Sequence, residues 1–148
     1  MYHEGSILYF PRFYFKNGAA SKAKYFIVLK NVGDEVLLIS LPSSIDHLPR
    51  FIDQQHGCLE IPDGNVCCYI FKAGNIITDN NWSFDLDTYL YGEQIDEYEL
   101  SLLNDIYPIE DIDYEVKGTL LGNELANLLA CFSNSASVKR KYKRLLNL

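Results

Sequence analysis

The chain reads as an α+β fold, a small curled β-sheet followed by two C-terminal helices, on three observations. Lys24-Tyr25-Phe26-Ile27-Val28-Leu29 and Glu35-Val36-Leu37-Leu38-Ile39-Ser40 are strand-type runs joined by Asn31-Val32-Gly33-Asp34, a stretch able to supply the positive φ that a tight hairpin needs. A second pair of runs, Gly57 to Ile61 and Val66 to Lys72, flanks Pro62-Asp63-Gly64-Asn65, whose residues favour a turn. Past Gly118 the apolar period changes: Leu125, Ala126, Leu128, Leu129 and Phe132 recur at helical spacing.

The remaining elements follow from the same rules. Ser6 to Phe15 is aliphatic and aromatic but contains Pro11, which cannot donate to a ladder and predicts an edge strand or a bulge. Lys16 to Ala23 is a flexible loop, and Leu41 to Gln55 a loop with one short helical turn. Thr88 to Tyr91 is a strand, Leu100 to Tyr107 a short helix stopped by Pro108, and Asp113 to Val116 a return to the sheet. Asn123 is placed to cap the first terminal helix, which ends at Ser133-Asn134-Ser135. Val138, Tyr142, Leu145 and Leu146 line a second, with Lys and Arg toward its C-terminus, where the helix dipole favours cations. Five or six strands and then helices make one domain of 148 residues, strand-rich over 5–116 and helical over 122–146. Curling the strands toward a barrel leaves few edges exposed.

Composition narrows the class. A 48% hydrophobic, 22% charged chain has enough apolar surface to fold rather than stay disordered. Its apolar runs are far shorter than the roughly 20 residues that cross a bilayer, and the first residues lack a secretory signal, so a cytoplasmic protein is expected. In that setting Cys58, Cys67, Cys68 and Cys131 are expected as reduced, buried thiols.

Charge is segregated. Between Gly5 and Val32 the ionisable cations are Arg12, Lys16, Lys22, Lys24 and Lys30, with no Asp or Glu. From Ala73 to Val116 there is no Lys or Arg, while Asp and Glu accumulate, and Lys139 to Arg144 is basic again. A polyanion is attracted to one side and repelled from another, unless the charges balance in space as an ordinary solvated surface.

Several chemistries are weak. His56-Gly57-Cys58 with Cys67-Cys68 lacks the C-x₂₋₄-C spacing of zinc sites, and at most one of the adjacent Cys67 and Cys68 can face Cys58 across a hairpin. His56 and Cys58 share a strand face, but nothing marks an oxyanion hole. Asp111 and Asp113 alternate with Ile112 and Tyr114 as one polar strand face. Neither a phosphate-cradling Gly-rich loop nor a G-x-S-x-G elbow is present. The stronger lead is Tyr9, Phe10, Phe13, Tyr14 and Phe15 interleaved with Arg12, Lys16, Lys22 and Lys24. Bases of single-stranded RNA stack on aromatics while cations hold phosphates, and packing in a core is the competing use of the same rings.

Gly5-Ser6-Ile7-Leu8-Tyr9-Phe10, the Lys22-Ala23-Lys24 loop, Tyr25 to Leu29, and Val36 to Ser40 running into Leu41-Pro42-Ser43-Ser44 resemble PemK/MazF-type toxins in order. Thr88-Tyr89-Leu90 and Lys117-Gly118-Thr119-Leu120-Leu121-Gly122-Asn123-Glu124-Leu125 extend the likeness. The resemblance implies an SH3-like barrel with helices, commonly dimeric, and an endoribonuclease that needs no metal or other cofactor. It implies single-stranded RNA as substrate and a protein partner of the antitoxin kind. Lys24 stands where the family has an arginine, Tyr25 where it has a proline, and the family's threonine or serine after the third strand falls on Pro42 or Ser43. Carried over, Lys24 or Arg12 stabilises the charge on phosphorus and Ser43 or Ser40 donates a hydrogen bond, with Lys16, Lys22 and Tyr14 binding RNA. The alternative expectation is a catalytically silent module of that fold whose acidic stretch binds a basic protein partner.

Overall fold

The structure is a computed structural model that describes residues 2–41, 54–61 and 66–148. Among the described residues it contains eight strands in two antiparallel sheets and three α-helices. β1 (Ser6–Phe13), β2 (Lys22–Val32) and β3 (Glu35–Ser40) form a meander, followed by β4 (Gly57–Ile61), β5 (Val66–Phe71) and β6 (Thr88–Tyr91). β7 (Ile95–Glu99) runs directly into α1 (Leu100–Ile106), and β8 (Glu115–Thr119) precedes α2 (Gly122–Ser133) and α3 (Arg140–Leu146).

The larger sheet has the order β7-β3-β2-β1-β8 and the smaller β4-β5-β6. The larger sheet curls but does not close, since β7 and β8 remain its two edges. The mixed class, the curled sheet and the two terminal helices agree with the sequence expectation; the sheet does not close into a barrel, and a second sheet lies beside it.

Two apolar clusters sandwich the larger sheet. Ile7, Ile27, Leu37 and Ile39 face β5, α2 and α3, while Leu8, Phe26, Val28 and Leu38 face α1 and the aromatic residues Phe10, Phe13, Tyr107 and Tyr114. Burial on both faces explains why Phe26 to Leu29 and Val36 to Ile39 are unbroken apolar runs rather than alternating ones. Gly33 makes the β2–β3 turn at φ 61°, between the paired Val32 and Glu35.

Pro11 sits in a bulge between Phe10 and Phe13 of β1. The ladder with β8 ends at Tyr9, so no strand on that side asks the proline for a donor. At α2, Leu121 rather than Asn123 is the N-cap residue, and no side chain caps the helix. The chain is instead fixed there by the Leu121 N–H donating to Ile77 O at 2.9 Å. Asp111 and Asp113 lie in a turn, not on a strand face: Asp111 has φ 71°, and Asp113 Oδ2 accepts the Ile109 N–H at 2.9 Å.

The expectation of four reduced thiols is overturned. Cys58 of β4 and Cys131 of α2 form a disulfide, leaving Cys67 and Cys68 free and buried. α2 packs across β4 and β5, which brings together cysteines 73 residues apart in sequence. No helix among the described residues is long and apolar enough to cross a membrane.

Candidate functional site

The β2–β3 hairpin brings the start of β2 beside the end of β3. Phe26 pairs with Ser40, and just beyond that rung the Leu41 N–H donates to Tyr25 O at 3.1 Å. Lys24 precedes Phe26 by two residues and so shares its face of the sheet. Lys24 and Ser40 are therefore diagonal neighbours on one face, a relation that puts residues roughly 7–8 Å apart.

Each position at this mouth has a structural cause. Lys24 pairs with Phe10 and Lys22 with Phe13, on either side of the bulge that holds Pro11 and Arg12. Arg12 is exposed on β1 opposite the two lysines, and Lys22 lies 5.8 Å over the Phe15 ring. Partial burial pushes the Lys24 ammonium below its ordinary pKa, and the Lys22 charge adds to the effect. Among the described residues Lys24 has no ion-pair partner.

Gln94 completes the mouth and was not singled out by the sequence. It ends the 3-10 turn Gly92–Gln94, next to the Ile39–Ile95 rung of β3 and β7, and its Oε1 accepts the Ser40 hydroxyl at 3.1 Å. Its Nε2 is left to donate. A glutamine between two strands carries no signal of its own until the strands are paired.

Lys16 goes elsewhere. Its ammonium is 3.1 Å from Asp96, bonds the Glu97 carbonyl and lies 4.2 Å from the centre of the Tyr98 ring, so it binds the β7 edge rather than joining Lys22 and Lys24 on β2. Tyr14 is 53% exposed, with its N–H donating to the Tyr107 hydroxyl at 2.8 Å and its ring stacked on that of Tyr107. Phe10 and Phe13 are core residues, as the packing use of these aromatics requires. Ser43 and Pro42 lie outside the described residues, as do His47 and the turn Pro62 to Asn65.

The other candidate residues are taken up in structural contacts, with the sulfurs of Cys58, Cys67 and Cys131 gathered within 4.8 Å of one another. His56 Nε2 meets Glu124 Oε1 at 2.5 Å, and His56 Nδ1 accepts the Lys72 N–H at 3.1 Å. An accepting Nδ1 makes this a neutral imidazole whose Nε2–H points at the carboxylate. Tyr69 donates to the other Glu124 oxygen at 2.8 Å, so the trio pins α2 to the smaller sheet. Burial and the bond to Glu124 both raise the Tyr69 phenol pKa. His56 therefore does not activate Cys58, whose sulfur is in the disulfide. Cys67 faces Cys131 at 3.8 Å while Cys68 lies in a separate cluster, as opposite strand faces demand.

Between the β1–β2 connection, β7 and α1 lies a cavity of about 470 Å³. Tyr14, Phe15, Tyr98 and Tyr107 give it aromatic walls. Glu35, Glu97, Glu99 and Lys16 also border it, but the Glu97 carboxylate is paired with Lys141 of α3, and alternation along β7 turns Glu97 and Glu99 to the face away from Tyr98. A hydrogen bond from Lys141 holds the Glu97 carboxyl below its ordinary pKa, and a hydrogen bond with Glu97, together with repulsion from its charge, lifts that of Glu35.

Comparison of the chain with protein-family models, with curated proteins and with solved structures yields no match.

Proposed function

We propose that the chain is a PemK/MazF-type, metal-independent endoribonuclease acting on single-stranded RNA, with the mouth of the β2–β3 hairpin as its site. The observation that carries this reading is the placement of Lys24 and Ser40 on one sheet face, diagonal to one another, with no carboxylate paired to Lys24 among the described residues. An ammonium and a hydroxyl at that spacing suit the oxygens of one phosphate. Arg12 and Lys22 stand beside them to hold neighbouring phosphates, and exposed Tyr14 offers a ring on which a base stacks.

In this mechanism the ribose 2′-oxygen attacks the adjacent phosphorus. The 2′-O–P bond forms, the P–O5′ bond breaks, the 2′-hydroxyl loses its proton and the departing 5′-oxygen gains one. The Lys24 ammonium balances the charge that builds on the phosphoryl oxygens, and Ser40 or Ser43 donates a hydrogen bond there. Gln94, which accepts the Ser40 hydroxyl, keeps that side chain in place and offers Nε2 as a further donor. Lysine gives a point charge in place of the two-pronged contact of arginine, so cleavage is expected to be slow. The reading carries with it a homodimer and control by an antitoxin-like protein partner.

Incubation of mixed-sequence single-stranded RNA with the protein and a chelator tests it. Fragments ending in 2′,3′-cyclic phosphate, lost in a Lys24→Ala variant, are expected. Absence of fragments, or fragments that Lys24→Ala leaves unchanged, rejects the assignment.

A further inference from the structure

The smaller sheet carries chemistry that the proposed RNA mouth does not use. Cys58 pairs with Tyr69 across β4 and β5, and Tyr69 shares a sheet face with Cys67, so Cys58 and Cys67 are diagonal neighbours on one side of the hairpin. α2 lies across that side and brings Cys131 onto it. The three sulfur atoms all lie within 4.8 Å of one another, with Cys67 and Cys131 3.8 Å apart. The disulfide accounts for two of them and leaves the third without a role.

The surroundings of that third sulfur suit a charged form. Burial pushes the Cys67 thiol above its ordinary pKa and the Glu60 charge adds to this, while hydrogen bonds with Ser135 and Ser137 act the other way. Ser135 is itself fully buried, and its hydroxyl is 2.9 Å from that of Ser137. Two hydroxyls beside a buried sulfur hold a thiolate as outer partners hold a metal ligand. A thiolate in so dry a place needs a cation next to it. Glu60, opposite Cys67 in the ladder, makes the place more negative still. Sulfurs about 3.8 Å apart are what a tetrahedral ion with metal–sulfur bonds of about 2.3 Å requires.

We propose that, once the Cys58–Cys131 bond is reduced, Cys58, Cys67 and Cys131 bind one thiophilic ion of the zinc class as three thiolates, with water at the fourth position. A dithiol supplies the two electrons and two protons of the reduction: the sulfur–sulfur bond breaks, Cys58 and Cys131 become thiols, and the dithiol closes to a disulfide. On metal binding the three thiols release three protons and three metal–sulfur bonds form. Cys58 is exposed while Cys67 and Cys131 are buried, so reductant, ion and water enter from the Cys58 side. Three soft donors select zinc over magnesium or calcium. The site thus has two exclusive states, a covalent clasp and a metal clasp, and both tie β4 to α2. The proposal does not depend on RNA cleavage, because Lys24 and Ser40 take no part in it.

The test uses the full chain, reduced with a phosphine, freed of reductant, kept from air and titrated with cobalt(II) as a spectroscopic stand-in for zinc. One cobalt per chain is expected, with sulfur-to-cobalt charge-transfer absorption and the visible bands of a tetrahedral site, both bleached by zinc. The oxidised chain should show neither. Cys67→Ser should bind cobalt at least about tenfold more weakly, whereas Cys68→Ser, next in sequence but on the opposite face, should bind it as the unaltered chain does. Cys58→Ser, at an exposed position, should weaken binding as Cys67→Ser does and serves in its place if the buried change prevents folding. Zinc should also raise the melting temperature of the reduced chain and not that of reduced Cys58→Ser. The proposal is overturned if the reduced chain takes up no cobalt, if Cys58→Ser or folded Cys67→Ser binds it as tightly as the unaltered chain, or if Cys68→Ser loses it equally.

Discussion

Ser40 and Gln94 are joined by a hydrogen bond of 3.1 Å in which the serine hydroxyl donates, so the glutamine is oriented with its amide nitrogen unspent. If the mouth of the β2–β3 hairpin is the cleavage site, Ser40→Ala and Gln94→Ala should each lower kcat/KM for RNA, by roughly tenfold or more. Lys24→Ala should cost more, on the order of 10²–10³-fold, the usual loss when one charge-stabilising group is removed from a transition state. Steady-state kinetics beside circular dichroism would check that the loss is not unfolding.

Arginine at position 24 provides the opposite experiment. A Lys24→Arg variant offers parallel N–H groups to a phosphate and should cleave faster than the natural sequence. A rate that falls, measured under the same conditions, would argue that this position does not face the phosphate.

Lys24 also sets an alkaline limit. Its ammonium loses its proton at lower pH than an ordinary lysine because it is partly buried and then because Lys22 is near. On the proposed reading the protonated form binds phosphate, so RNA affinity should fall as pH rises through this lowered value. Lys22→Ala removes a like charge, raises the Lys24 pKa and should move that limb to higher pH, while Lys24→Arg should abolish it.

The Cys58–Cys131 bridge gives a prediction on stability rather than activity. It closes a loop of 73 residues in sequence separation, for which chain entropy gives about 4 kcal/mol. Cys58→Ser should lower the free energy of unfolding by about 2–4 kcal/mol in denaturant titrations, and mass analysis after alkylation should find two thiols, Cys67 and Cys68, in the unaltered chain and a third, Cys131, in the variant.

Gly118 tests the packing behind β8. A Cβ there would stand 2.4 Å from Asn80 Oδ1 and 2.9 Å from Thr78 Cβ, so Gly118→Ala should destabilise the protein by about 1–3 kcal/mol. Thermal melts would show it as a drop of several degrees.

Much of the fold was legible because its strongest elements are local. The β2–β3 hairpin follows from two apolar runs and a glycine, and α2 from a helical period, so both are visible in short windows. β7 was not visible: Ile95 to Glu99 is acidic, and it becomes a strand only because β3 presents an edge for it to pair with. The disulfide was hidden for a related reason, as no local pattern tells that α2 will cross β4. At the candidate site, Lys24, Lys22 and Arg12 stood out by charge, while Gln94 depends on a pairing far away in sequence. The surroundings of Lys16 were not legible, because its basic neighbours are near in sequence while its partners, Asp96 and Tyr98, are near only in space.

The larger sheet, apolar on both sides, works as a bulkhead between two compartments. On one side are the sulfur atoms and the terminal helices, and on the other α1 and the aromatic stack. Loosening in the first compartment can reach the second through the strands, by a slip in their alignment. Leu29, the extra residue in the β2–β3 ladder, marks where such slack exists.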